Sequence, residues 1–546
     1  MPAEQEQTLT IQQAIDLAMQ HHNAGDLPKA EDIYQKVLQA EPDQPVAMHL
    51  LGVIAHQVGK NDIAVDLITK ALAIKPDDAD AYSNLGLALH ELGQLDEAVF
   101  SYNKALAIKP DYAEAHYNLG ATLQGLGQLD EAEASYSSAL TIKPDYVQAH
   151  YNLGIALKQL GNLDQAVVSY NKAIAIKPDY ADAHFNLGNA LHELGKLDEA
   201  VESYNKALAI KPNFAQAHYN LGVAQKDFGQ MDRAADSYKR AFELKSDYAE
   251  AYNNLGSLLL EVGQLNEAMA SCNNALAIKP DLADAHFNQH ALLIDPMNMA
   301  PSIESIKKAV NINPSNNLYR FMLAMMLDYL GCPEEAASHF DMIEATDILN
   351  CARLDAWNYI KLSNDPLPPI TGSNIEAFKI GMKAAANEGL VLEFGVRFGT
   401  SIRLISELAE QEVHGFDSFE GLPEAWHHEP KGSYSTKGVI PTVPDNVILH
   451  NGWFEETLPS FVDQHQATIR FMNIDCDIYS STKTIFDLLA KQVTTGTVIV
   501  FDEYIGNANW RKDEFKAFQE AVLSNGWEYE YLCFSFFTKQ VVVRIR

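Results

Sequence analysis

Cysteine, basic charge and long apolar runs are all scarce in this sequence. Its 546 residues include five cysteines, Cys272, Cys332, Cys351, Cys476 and Cys533, an odd number with no C-x-x-C spacing. That scatter argues against a disulfide framework and a zinc site and points to a reducing compartment. No run of about 18 apolar residues occurs, so no membrane-spanning helix is expected. The first residues, Met1 to Glu6, are acidic and lead into no apolar segment, so a soluble cytoplasmic protein is the expectation. Lys and Arg number 40 against 73 Asp and Glu, a net charge of −33. Phosphate binding needs a basic surface, so no nucleic-acid partner is expected. The first 370 residues carry most of the deficit, with 25 Lys and Arg against 49 Asp and Glu. A solvated surface kept soluble by self-repulsion accounts for it, and a surface that recruits a basic partner is the alternative. A chain this long exceeds one hydrophobic core, so at least two domains are expected.

What the chain has in abundance is self-similarity. The phrase YNKALAIKPDYA recurs, with substitutions, every 34 residues. Glycine recurs at 86, 120, 154, 188, 222 and 256, and again at 93, 127, 161, 195, 229 and 263. Alanine recurs at 98, 132, 166, 200, 234 and 268, and proline at 110, 144, 178 and 212. The first glycine of each unit sits inside a helix and lets the next helix approach. The second ends that helix in a left-handed turn. The Lys-Pro-Asp turn stops the second helix, because proline disfavours helical geometry just before it. This pattern resembles the tetratricopeptide repeat. Repeats are expected to start at 11, 45, 79, 113, 147, 181, 215 and 249, with degenerate ones from 283 and about 317, giving an all-α solenoid over 11–350. One helix pair cannot bury its own apolar face, so stacking supplies the core.

Seven successive repeats place asparagine at one helical position: Asn84, Asn118, Asn152, Asn186, Asn220, Asn254 and Asn288. The row resembles the asparagine ladder of the repeat-bearing glycosyltransferase that modifies serine and threonine with N-acetylglucosamine. A carboxamide both donates and accepts, so such a row on a concave face can hold an extended peptide without reading its sequence. Duplication of a YNLG consensus would produce the same row with no ligand.

The period breaks after about residue 350. A capping helix and linker are expected over 351–373, because Lys361 to Asn374 is rich in proline and small polar residues. Beyond it, apolar runs alternate with helical segments, with strands expected at 389–395, 412–416, 446–450, 468–474, 496–501, 527–533 and 538–545. Helices are expected at about 374–387, 400–410, 480–491 and 511–524. That alternation predicts an α/β Rossmann-like, doubly wound domain over 374–546, with ligands at the carboxyl ends of its strands.

Three strand ends carry candidate chemistry. VLEFGVRFGTS places Glu393, Gly395, Gly399 and Ser401 at a strand-to-helix turn, where backbone can approach a ligand and a helix N-terminus favours an anionic group. It lacks the G-x-G-x-x-G spacing of a nicotinamide site, having Arg397 two residues after Gly395. Asp417 ends the second strand, where a carboxylate can accept from both ribose hydroxyls. IDCDIYSST and VIVFDEY bring Asp475, Asp477, Asp502 and Glu503 to the fourth and fifth strand ends. Neighbouring strands lie about 4.8 Å apart. Two bare carboxylates at about 5 Å would repel by roughly 3 kcal/mol at an effective dielectric of 20. A cation or a retained proton is therefore required, and oxygen-only ligands suit Mg²⁺. The alternative is that Glu503 points to solvent or pairs with a basic residue such as Lys483 or Arg511.

Together GFDSFEGLPE, IDCDIYSST and VIVFDEY resemble the class I methyltransferases, and among them the macrocin O-methyltransferase group. The resemblance implies that S-adenosylmethionine is held by Glu393, Gly395, Gly399, Ser401, Asp417, Ser418 and Gly452. It implies Asp475, Asp502 and Glu503 as Mg²⁺ ligands and Asp475 or Asp477 as the group that takes the acceptor's proton. Glu503 departs from the pattern, since the sugar methyltransferases usually carry Asp there. The segment 419–441, with Trp426, His427, His428, Lys431 and Tyr434, is a candidate lid, and Trp453 a candidate adenine neighbour. Three readings follow: an O-methyltransferase acting on a hydroxyl acceptor such as a glycan, with a protein or peptide partner on the solenoid; a non-catalytic scaffold; and a nicotinamide enzyme, disfavoured by the glycine spacing.

Overall fold

The computed structural model describes residues 9–343, 347–426 and 429–546. Among them, helices run in pairs from α1 (Ile11–Asn23) and α2 (Leu27–Ala40) to α19 (Asn317–Tyr329) and α20 (Pro333–Phe340). The first helix of each pair starts at 11, 45, 79, 113, 147, 181, 215, 249, 283 and 317, in the register that the 34-residue spacing predicts. The turn glycines are left-handed, as at Gly195 with φ 72°. The helical glycines serve a purpose the spacing did not reveal: Gly86, Gly120, Gly154 and Gly188 each leave room for a tyrosine ring, and Gly256 for the Cys272 sulfur. A Cβ on Gly188 would stand 2.7 Å from the Tyr204 ring, which is 2% exposed.

The asparagine row ties repeats together. Asn152 Nδ2 donates to Tyr117 Oη at 3.1 Å and Asn186 Nδ2 to Tyr151 Oη at 2.8 Å. Asn84 Nδ2 lies 2.8 Å from His49 Nε2, Asn220 donates to Asn189 Oδ1, and Asn288 to Asn253 Oδ1. Asn118 and Asn254 are half-buried at the equivalent position. A carboxamide that bonds to the preceding repeat contributes to stacking whatever else it binds.

The chain forms two compact units, Met1–Ala224 and Gln225–Arg546, so the division falls inside α13 (Ala215–Asp227). In the second unit the last repeats pack with an α/β domain. Helix α21 (Ile348–Ser363) buries Trp357, whose indole N–H donates to Asp328 at 2.8 Å. It runs three residues into the stretch read as linker. The rest of that stretch is not a free spacer: Ile370, Thr371 and Ser373 are buried, Thr371 N–H donates to the Phe534 carbonyl, and Phe534 N–H donates to the Pro369 carbonyl. Proline and small polar residues report local backbone preference, not burial.

The domain's strands are β1 (Leu390–Phe394), β2 (Val413–Asp417), β3 (Val447–Asn451), β4 (Ile469–Ile474), β5 (Val493–Phe501), β6 (Tyr529–Phe534) and β7 (Val541–Ile545). They form one sheet in the order β3-β2-β1-β4-β5-β7-β6, parallel through β5, with β7 antiparallel to both its neighbours. Helices α22 (Asn374–Ala384), α23 (Thr400–Ala409), α24 (Phe454–Gln464), α25 (Tyr479–Leu489) and α26 (Glu514–Asn525) complete it. Helix α24 was not expected, because Pro459 interrupts its pattern, although Glu455 and Glu456 mark its first turn. Strand β7 starts three residues later than expected, which leaves Lys539 and Gln540 in the preceding turn. The strand order reverses between β1 and β4, which opens a crevice at their carboxyl ends.

If the asparagine row staples the repeats, Asn186→Ala and Tyr151→Phe should be coupled. A double-mutant cycle read by urea denaturation is expected to give about 0.5–1.5 kcal/mol of interaction energy. Additive effects would show that the bond contributes nothing to stacking.

Candidate active site

A cavity of about 1380 Å³ opens at that crevice, lined by Gly395, Ser401, Asp417, Ser418, Gly452, Asp475, Asp477, Asp502 and Glu503. Two expected cofactor residues stand apart from its lining. Glu393 is fully buried in the sheet, where Asn473 Nδ2 donates to its Oε1 at 2.9 Å. Gly399 caps α23 and packs toward Pro441. Gly395 has φ 91°, and a Cβ there would overlap the Asp475 carbonyl. The glycine is therefore required for β1 to cross the end of β4, quite apart from any ligand.

Asp417 is held rigidly. Its Oδ2 accepts from the Arg397 backbone N–H at 2.7 Å and its Oδ1 from that of Phe419 at 2.6 Å. Each oxygen keeps a further lone pair for a ligand in the cavity. The donor set fits a ribose diol, and the space exceeds what a nucleoside alone needs. Arg397 is itself clasped, its guanidinium 4.7 Å from the Phe398 ring centroid and 4.9 Å from that of Tyr434. Arg397, Tyr434, Asp477 and Lys539 all line the cavity and all have left-handed backbone, at φ 47°, 64°, 64° and 60°. Non-glycine residues pay strain for that conformation, and such strain concentrates at functional sites.

Negative charge dominates the walls: among the described residues eleven acidic and four basic side chains line the cavity. Burial, helped by Glu503 and Asp502, pushes Asp477 up to about 7. Burial, with Glu503 next, pushes Asp502 up to about 7, and Glu261 from the solenoid adds to it. Asp475 lies well above the ordinary carboxylate range, through burial and then Asp502. Glu393 rises to about 8 through burial, against the Ser401 hydroxyl and the Asn473 amide, which favour its charged form.

The expected Mg²⁺ ligands do not form a cation site. No group of three metal-ligating side chains occurs among the described residues. Glu503 Oε1 instead accepts from Lys539 Nζ at 2.8 Å, and Asp502 Oδ1 from Gln540 Nε2 at 2.8 Å. One oxygen of Glu503 is thus bonded to an ammonium and one of Asp502 to an amide. Neither basic residue considered from the sequence reaches Glu503, because Lys483 pairs with Asp487 and Arg511 with Asp355.

Other elements close the cavity. Lys226, Asp227, Met231 and Glu261 of the last repeats line it, as do Asp347 to Leu349 and Arg353 at the start of α21. The Phe398 ring fills the space a Cβ would need at Gly229, a turn of the solenoid. The expected lid is anchored at two points: Trp426 Nε1 donates to Asp513 Oδ2 at 3.1 Å, and Ser480 Oγ to Glu424 Oε1 at 2.6 Å. His427 and His428 lie outside the described residues, and Lys431 is exposed. Trp453 lines the cavity beside Gly452.

A family model of the methyltransferase domain matches residues 392–504, the segment that holds Asp417, Asp475 and Asp502. Models of the TPR repeat match from 86 to 263 in five overlapping segments, and tetratricopeptide-repeat models match 67–100 and 249–282. The chain carries tetratricopeptide repeats and a methyltransferase domain. No curated protein matches it significantly. Among solved structures, the MamA protein is similar at 30% identity, covering 32% of this chain and 94% of MamA with a TM-score of 0.30. YrrB, described as a TPR protein with an unusual peptide-binding site, is similar at 27% identity over 34% of this chain and 95% of its own, with a TM-score of 0.32.

Sequence reasoning missed Lys539 and Gln540 of the methyltransferase domain because both were read as strand. It missed the lining residues of the repeats because nothing local marks them. The raised carboxyls have a measurable consequence. Groups that hold protons more tightly folded than unfolded stabilise the chain most below about pH 4, and that stability is lost as pH rises through 7 to 8. The melting temperature is expected to fall by about 5 °C or more between pH 5 and pH 8. Glu393→Gln, which keeps an acceptor for Asn473, should flatten part of that slope. A variant as pH-sensitive as the parent would show that Glu393 is not proton-linked.

Proposed function

We propose that the chain is an S-adenosylmethionine-dependent O-methyltransferase, with the domain at 374–546 holding the cofactor and the solenoid at 11–350 recruiting a protein or peptide partner. The observation that carries this reading is the Asp417 carboxylate, fixed by two backbone amides at the switch point of the sheet and open to a cavity large enough for cofactor and acceptor. Asp417 would take the ribose hydroxyls, Gly395 and Ser401 would border the methionine end, and Gly452 the adenine side. When bound, the sulfonium supplies the methyl group. Its positive charge suits the acidic lining, which disfavours a phosphorylated acceptor and favours a neutral or cationic one bearing a hydroxyl, such as a sugar.

Asp475 and Asp477 divide their duties in this reading. Burial and the neighbouring Asp502 favour the protonated form of Asp475. Asp477, poised near 7, is matched to accept the acceptor's proton at neutral pH. The acceptor would enter on the side walled by α21 and the repeats from Gln225 onward. The carboxamides of the asparagine row are the proposed contacts for an extended peptide.

Calorimetric titration of the full chain with S-adenosylmethionine tests the cofactor assignment. Micromolar binding is expected, weakened by about 10- to 100-fold in Asp417→Ala, the worth of one or two hydrogen bonds to a charged group. A folded parent chain that takes up no cofactor would refute the assignment.

A further inference from the structure

We propose that Lys539 is the resident cation of this site, occupying the place a divalent metal would take. The chemistry rests on the methyl-transfer reading above, whereas the geometry stands without it. Lys539 and Gln540 are consecutive residues of the turn between β6 and β7, and they reach the consecutive carboxylates that end β5. Lys539 Nζ lies 2.8 Å from Glu503 Oε1, and Gln540 Nε2 lies 2.8 Å from Asp502 Oδ1. One turn thus occupies both carboxylates of the VIVFDEY strand end.

The turn is built to hold that position. Ser535 N–H donates to the Gln540 carbonyl at 2.8 Å, and Thr538 N–H to Ser535 Oγ at 3.0 Å. Lys539 takes a left-handed backbone at φ 60°, and Gln540 is 1% exposed. Phe536 packs edge-on against Phe321 at 5.0 Å between centroids, and Phe537 lies 5.2 Å from Phe287. Phe287 and Phe321 belong to the last repeats. The solenoid therefore seats the turn that delivers the lysine.

An ammonium has three donors, and Glu503 takes one. Two remain for an acceptor oxygen in the cavity, which Lys539 lines. During transfer the acceptor oxygen bonds to the methyl carbon as the sulfur–methyl bond breaks, and the sulfur keeps the electron pair. The hydroxyl proton passes to Asp477. Lys539 holds the oxygen and offsets its developing negative charge, the service a metal would otherwise render. Glu503, one carbon longer than the Asp usual at this position in the sugar methyltransferases, is what reaches the lysine.

Titration of the full chain with Mn²⁺, followed by the loss of the free-ion electron paramagnetic resonance signal, needs neither cofactor nor acceptor. The parent chain should leave Mn²⁺ free up to about 1 mM, weaker than sites in the Ca²⁺ and Mg²⁺ sensor range. Lys539→Met should open the carboxylates and bind one Mn²⁺ at least about tenfold more tightly, with binding lost again on adding Asp502→Asn. Far-ultraviolet circular dichroism checks that the variants are folded. Mn²⁺ binding by the parent chain that disappears in Asp502→Asn would overturn the proposal, as would a folded Lys539→Met variant that stays silent. The calorimetric titration with S-adenosylmethionine reports separately on the methyl-transfer reading.

Discussion

A carboxylate taken out of water must find a donor, a cation or a proton, or the fold that buries it loses several kcal/mol. The C-terminal domain meets that demand in a different way at each strand end. At β1 Glu393 is kept protonated by burial and steadied by Asn473. At β2 Asp417 receives two backbone amides. At β5 Asp502 and Glu503 are met by Gln540 and Lys539 from a single turn. Among the described residues Asp475 and Asp477 at β4 have no such partner, and burial raises both, Asp477 to about 7. The least compensated carboxyls thus sit where a proton must be taken up during transfer.

That arrangement gives the solenoid a second role beside recruitment. The aromatic side chains of the β6–β7 turn pack on Phe287 and Phe321, Phe398 fills the space beside Gly229, and Glu261 adds its field to Asp502. The repeats from Gln225 onward form part of the wall and part of the support of the transferase cavity. The earlier repeats form a unit of their own, held by buried tyrosines and by carboxamides that bond from one repeat to the next.

Much of this was legible in the residues, and the failures share a cause. Repeat register, strand ends and the Asp417 position follow from periodicity and from apolar runs that end in acid, both local signals. The linker, α24 and the Lys539 contact are decided by tertiary packing. Thr371 is buried because it pairs with Phe534, 163 positions away in the chain, and Lys539 meets Glu503 across 36. The expectation of Mg²⁺ finds no support, and the cause is the same. Counting carboxylates identified the charge that had to be compensated, but the compensating residue lay in a segment assigned to a strand. The helical glycines were given a packing role, yet the side chains that fill their gaps, most of them tyrosine rings, show only in three dimensions.

Hydrogen exchange of the full chain, with and without S-adenosylhomocysteine, tests the central claim that the β1, β2 and β4 ends form one nucleoside site. The account predicts slowed exchange at the Arg397 and Phe419 amides that hold Asp417 and through 395–401, with the repeats before residue 224 unchanged. Uniform exchange at these amides under saturating ligand, or protection confined to the solenoid, would contradict it.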